Sequence, residues 1–253
     1  MALKFSTGLR NFLQRDGSLK RALHGGALKI YSGSAPADAD AAVTGTLLVT
    51  VSLASGVLTR EVLATGTCTL SGAAGQVDSI TVDGKHILNQ VIPFNASLTQ
   101  TAADVAAAIN KNLSNPEYTA SSSGAIVTIS ALPNTGTQPN TYVVAATCSG
   151  GLSSVDVNLA SGVASVNGLT FDTVVSGKLS KTGTWSGVVA NTGTAGYFRY
   201  EGPVTDAGGS STTIPRIQGT CGTSGADYNM SSTSLTAAAT HTVDQFDLTL
   251  PAS

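Results

Sequence analysis

The sequence predicts a mainly β protein. An outer β-sandwich or barrel with an N-terminal helix is interrupted by an inserted α+β domain with one helix. Three observations carry this reading. Gly (28 residues), Ser, Thr, Ala and Val dominate, and only 11% of residues are charged; small β-branched and turn-forming residues favour short strands joined by tight turns. Apolar runs recur at intervals of about 10 residues between Gly-rich turns, the spacing of an all-β domain. Finally, Leu53-Ala54-Ser55-Gly56-Val57 returns letter for letter as Leu159-Ala160-Ser161-Gly162-Val163, and the chain between the copies differs in style from the chain outside them. The pair reads as the edges of an insertion. Residues 1–57 and 163–253 then form one discontinuous outer β domain, and residues 58–162 form the inserted domain. Val57 and Val163 are expected to be neighbours.

In chain order, residues 6–24 read as helix. Ser6 or Thr7 caps it, and Leu9, Phe12 and Leu13 make one apolar face. Asp16-Gly17 interrupts it, Leu19, Ala22 and Leu23 resume it, and His24-Gly25-Gly26 ends it. So narrow a face needs a surface to dock on. Residues 27–33 and 46–52 are strands, separated by a loop punctuated by Pro36, Asp38 and Asp40.

The insertion reads as β-β-α-β-β-β. Residues 77–82 alternate, and Asp83-Gly84 before Lys85 signals a type I′ hairpin turn. Thr101 to Leu113 is the helix, with Thr101 as cap, Asp104 in capping-box position and Val105, Ile109 and Leu113 as its stripe. Strands are expected at 117–120, 125–130 and 142–148, with a turn at Ser122-Ser123-Gly124. Beyond the second repeat, residues 184–190 and 195–200 suggest a hairpin, residues 206–211 a flexible stretch (a hairpin tip, or a surface segment that orders in an assembly), and residues 242–250 one closing strand. Trp185, Phe198 and Phe246 are the expected core anchors.

No catalytic constellation stands out. His24, His86 and His241 have no carboxylate or cysteine at ligand spacing. Gly-x-Ser-x-Gly and the phosphate-loop pattern are both missing from the sequence, and no carboxylate pair suggests a glycosidase. Asp38 and Asp40 read as a solvated turn rather than a calcium loop. The expectation is a non-enzyme without catalytic residues, cofactor or metal. Cys68, Cys148 and Cys221 read as free thiols in a reducing compartment, with pairing of Cys68 and Cys148 after release left open. No run approaches the roughly 18 apolar residues of a membrane span, and Arg10 and Arg15 interrupt any signal-peptide core. Synthesis in a cytoplasm is expected, without a membrane partner.

Charge is uneven. Lys4, Arg10, Arg15, Lys20, Arg21 and Lys29 fall in the first 29 positions, opposed there only by Asp16, although the whole chain has a formal charge of −2. A basic segment on an acidic body suggests docking on an acidic surface, either a protein partner or nucleic acid, and a solvated amphipathic helix is the equal alternative. Lys4, Arg10, Arg15, Lys20 and Arg21 are the candidate docking residues. Basic residues interleaved with aromatics are lacking apart from Phe5 and Phe12, so no specific nucleic-acid binding is expected.

Several stretches resemble a widespread group of virion-associated β proteins of tailed bacteriophages: Phe5-Ser6-Thr7-Gly8-Leu9-Arg10-Asn11, residues 28–40 (LKIYSGSAPADAD), residues 193–199 (GTAGYFR), residues 222–227 (GTSGAD) and the segment from Thr242 to Pro251. They span the outer domain. The insertion is similar to a module of phage tail and surface proteins, through residues 80–85 (ITVDGK), 101–110 (TAADVAAAIN) and 127–131 (VTISA). The resemblance implies a virion structural protein, assembled as a homo-oligomer of sister copies against portal, connector or capsid proteins. The expected place is the neck, as a collar component at the head–tail connector. The alternatives are a capsid decoration protein, or a receptor- or carbohydrate-binding module of a tail fibre or tip; with Trp185 as the one Trp, the aromatic platform that sugars favour is thin.

Overall fold

A computed structural model describes residues 3–15, 17–112, 114 and 116–249. Asp16, Leu113 and Leu250, expected in a helix interruption, a helix stripe and the last strand, lie outside these residues, as do Pro251 of the phage-like C-terminal stretch and the rest of the C-terminus. The chain is mainly β and sandwich-like. It divides into two compact units, an outer one of Met1–Glu61 with Ser165–Ser253 and an inner one of Val62–Ala164.

The outer unit begins with β1 (Lys4–Phe5), α1 (Thr7–Arg15), α2 (Leu19–Leu23), β2 (Ala27–Ser32) and β3 (Leu47–Leu53). The inner unit holds β4 (Thr65–Ser71), β5 (Gln76–Val82), β6 (Lys85–Leu88), β7 (Ile92–Pro93), α3 (Leu98–Lys111), β8 (Tyr118–Ser123), β9 (Ile126–Ala131), β10 (Val144–Ser149) and β11 (Ser153–Ala160). The outer unit resumes with β12 (Thr170–Phe171), β13 (Lys178–Thr182), β14 (Trp185–Val188), β15 (Gly193–Glu201), β16 (Arg216–Gly222), β17 (Tyr228–Asn229), β18 (Ser234–Leu235), β19 (Thr240–Val243) and β20 (Asp247–Thr249).

The outer sheet runs β1-β16-β15-β2-β3-β14-β19, with β17 on β16 and β18 on β15, and a small sheet β12-β13-β20 accompanies it. The expected hairpin between residues 184–190 and 195–200 does not form. The β2–β3 hairpin sits between β14 and β15, so β14 pairs with β3 and β19 instead. The expected closing strand is two, β19 and β20 in different sheets, with Phe246 between them. Trp185, Phe198 and Phe246 meet in the core: Phe246 lies 5.4 Å from Trp185 and 5.8 Å from Phe198, ring centre to ring centre. Leu9, Phe12, Leu19, Ala22 and Leu23 of the two N-terminal helices belong to the same core. The helices therefore dock on their own domain, through the surface that their narrow apolar face requires.

The inner unit stacks β10-β5-β6, with β7 on β5, and β11-β4-β9-β8 around one core into which α3 presents Ala102, Val105, Ala106 and Ile109. Eight strands stand where the pattern predicted five; β7 and the eight-residue β11 fall on stretches with no expected strand. Strand β11 has solvent on its outward face, so its valines carry no burial signal. Helix α3 starts one turn earlier than expected. Ser97 is the cap, accepting from the Gln100 amide, while Thr101 is buried inside the helix and donates to the Ser97 carbonyl. Asp104 binds the Asn95 and Gln100 side chains instead of completing a capping box. Asp83 and Gly84 have φ of 48° and 72°, the left-handed pair that the β5–β6 turn needs. The turn expected at Ser122-Ser123-Gly124 falls at Gly124-Ala125, with Ser122 and Ser123 still in strand β8.

Both copies of the repeat do the same local work. Each ends a strand, β3 or β11, and turns the chain through a Ser at positive φ, 55° at Ser55 and 63° at Ser161. Their valines are not direct partners. In the outer unit the Asn167 side-chain amide donates to the Val57 carbonyl at 2.9 Å, and in the inner unit Val163 pairs with Val62. The outward and returning segments run antiparallel at a register shifted from the repeat itself, with Thr59 opposite Val166.

Candidate docking surface

The central outer strands are buried on both faces. Along β15, Phe198 and Tyr200 point into the apolar core, while Tyr197, Arg199 and Glu201 occupy the alternate positions and are equally buried. Register places Tyr197 beside Tyr31, Arg199 between Lys29 and Gln218, and Glu201 beside Arg216. This second face is a polar layer.

Three of its side chains hold the loop between β2 and β3 through main-chain carbonyls. Arg199 donates to Ala41, Arg216 to Ala39 and Gln218 to Pro36, at 2.9, 3.3 and 2.9 Å. Arg216 also forms a bidentate pair with Asp206, both contacts 2.6 Å, and donates to the Gly209 carbonyl. Burial alone would push the Asp206 carboxyl up, but the Arg216 guanidinium and the Gly208 amide outweigh it and hold the group below its ordinary value. Glu201 takes Lys29 at 2.9 Å and Arg60 at 2.6 Å; there burial prevails and raises the carboxyl's pKa against the pull of both cations. Residues 206–211, expected as a flexible tip, are instead fastened to this layer, because Arg216 binds both the Asp206 side chain and the Gly209 backbone.

The basic N-terminal segment is seated on these loops. The Ser6 hydroxyl accepts from the Leu9 amide as helix cap and donates to the Ile214 carbonyl. Asp40 accepts from the Thr7 amide and hydroxyl at 2.8 and 2.6 Å, placing a carboxylate at the positive end of α1. Gly8 lies so close to the backbone of Thr213 that an added Cβ would sit 2.4 Å from its carbonyl carbon. Asp38 binds the amides of Asp40 and Ala41, so both loop carboxylates serve the backbone. Among the described residues, no group of three or more His, Cys, Asp or Glu side chains is placed to hold a metal.

The five candidate side chains occupy one segment, on β1, α1 and α2. Lys4 is half-buried and donates to the Ala37 carbonyl at 2.8 Å. Arg10 and Arg15 are exposed on α1, and Arg10 donates to the Thr7 hydroxyl at 2.8 Å, which links it to Asp40. Lys20 and Arg21 are half-buried on α2. The segment that carries all five packs into the outer core through Leu9, Phe12, Leu19, Ala22 and Leu23. Sequence reading missed Arg199, Glu201, Asp206, Arg216 and Gln218. The available signal was charge at alternate positions of strands otherwise rich in apolar residues.

The three cysteines are free thiols. Burial, with Asp156 alongside, pushes the Cys68 thiol well above its ordinary pKa, and Cys148 shifts the same way, chiefly through burial. Among the described residues, no helix is long and apolar enough to cross a membrane. No protein-family model, curated protein or solved structure matches the chain.

Proposed function

We propose that the chain is a non-enzymatic structural protein of a bacteriophage particle, a collar or neck component repeated in several copies near the head–tail connector. The observation that supports this reading is the seating of a strongly basic segment. Lys4, Arg10, Arg15, Lys20 and Arg21 are carried on β1, α1 and α2, and that segment is clamped to loops of the outer unit through Ser6, Asp40 and the close approach of Gly8 to Thr213. A pre-ordered cationic surface steers association with an acidic neighbour and loses little freedom on binding. Portal, connector or capsid proteins are the intended neighbours, and repetition around a symmetric part makes weak individual contacts sufficient. The test is an Arg10→Glu/Arg15→Glu/Arg21→Glu variant supplied during infection. It should be lost from purified particles while still folding in solution; normal incorporation would sink the docking assignment.

A further inference from the structure

The sheet β11-β4-β9-β8 of the inner unit has one face on the core and one on solvent. Its solvent face is unusual. Every outward position along the four strands is Ser, Thr, Val, Ile or Ala, with no charge and no aromatic. Val155 and Val157 on β11 are 68% and 56% exposed, and Ile126 on β9 is 39% exposed. Register sets them in rows: Val155 beside Thr69 and Thr69 beside Ile126, then Val157 beside Thr67 and Thr67 beside Thr128. Asp156, the one carboxylate of β11, points the other way and accepts from the Ala146 amide. Only 11% of the chain is charged, and none of that charge falls on this face, well short of the roughly 25–35% that keeps a surface soluble and unassociated.

We propose that this face is a self-association surface whose occupant is the same face of a second copy. Charge selects the occupant. Covering the face with a charged surface would strand that partner's charges without counter-ions, at a cost in desolvation, so the partner must be equally uncharged. The face itself meets that condition, and a two-fold axis sets the same patch of both copies against each other. Four strands about 4.8 Å apart, each rising about 3.3 Å per residue, present roughly 400 Å². That is about half of the ~800 Å² per partner of a stable complex. The association is therefore weak for one pair and effective only where copies are already held together. It is independent of the basic segment, and stands or falls separately from the virion reading.

Sedimentation equilibrium of the purified full chain, from about 10 μM to the order of 1 mM, tests it. The expected result is a monomer–dimer equilibrium populated toward the upper end, with Val155→Lys/Val157→Lys raising the dissociation constant at least about tenfold. Thr128→Lys, on a different strand of the same face, should do the same, and circular dichroism checks that both variants fold. A monomer at every concentration overturns the proposal. So does dimerisation unchanged in both variants, or one abolished instead by Arg10→Glu.

Discussion

The Asp206–Arg216 pair decides whether the loops under the basic segment are held rigidly. Both side chains are almost fully withdrawn from solvent, and the carboxylate receives two guanidinium contacts of 2.6 Å and the Gly208 amide at 2.8 Å. Asp206→Asn keeps the shape and removes the charge, leaving Arg216 buried without its counter-ion. Breaking a buried pair from one side costs about 3–5 kcal/mol. For a unit of this size, that lowers the melting temperature by about 6–20 °C, at roughly 2–4 °C per kcal/mol. Trp185 is the one tryptophan and lies in the outer core, so its fluorescence reports that unit without contribution from the inner one. The pH dependence follows from the depressed pKa. The wild-type advantage is present above the unfolded carboxyl value, near ~3.9, and is lost as pH falls through the lower folded value. Denaturant titrations followed at Trp185 should therefore separate variant and wild type widely at pH 7 and bring them together in acid. A loss below about 1 kcal/mol at pH 7, or a gap that survives full protonation, would refute the reasoning.

Gly8→Ala should unseat α1, because its Cβ would fall 2.4 Å from the Thr213 carbonyl carbon; a drop in the Trp185 melting temperature is expected, and an unchanged one would show that the helix is not tightly docked. Asn110→Ala should open the β8 edge, where the Asn110 side chain now satisfies both the N–H and the C=O of Ala120 at 2.9 and 2.7 Å. The cost is about 1–3 kcal/mol, read as faster hydrogen exchange at the Ala120 amide. Burial lowers the pKa of His24, with help from Lys20, and that of His241 against the pull of Asp244. Their contribution to stability is present above ~6.5 and lost as pH falls through the folded values, so melting temperatures at Trp185 should decline below neutrality and decline less in a His24→Gln/His241→Gln variant.

Legibility in the sequence followed periodicity. The β character, the Asp83-Gly84 turn and the three aromatic anchors were readable because hydrophobic alternation and turn chemistry are local. The pairing of β14 was not, since proximity in sequence favours a hairpin and only the long-range insertion of β2–β3 forbids it. Strand β11 was missed because its outward valines and inward Asp156 reverse the usual pattern. The basic segment was visible as composition, but its support was not. Arg199, Glu201 and Arg216 are far apart from their loop in sequence, and only register brings them together under it. Ser97 was passed over as a cap because Thr101 also precedes an apolar stripe and carries the same hydroxyl.

The most direct test of the functional account is an electron-microscopy map of the intact particle. The account predicts repeated copies of this chain around a symmetry axis at the neck, with Lys4, Arg10, Arg15, Lys20 and Arg21 against an acidic neighbour. Purified particles that lack the chain, or that carry it with those residues facing solvent, would contradict it.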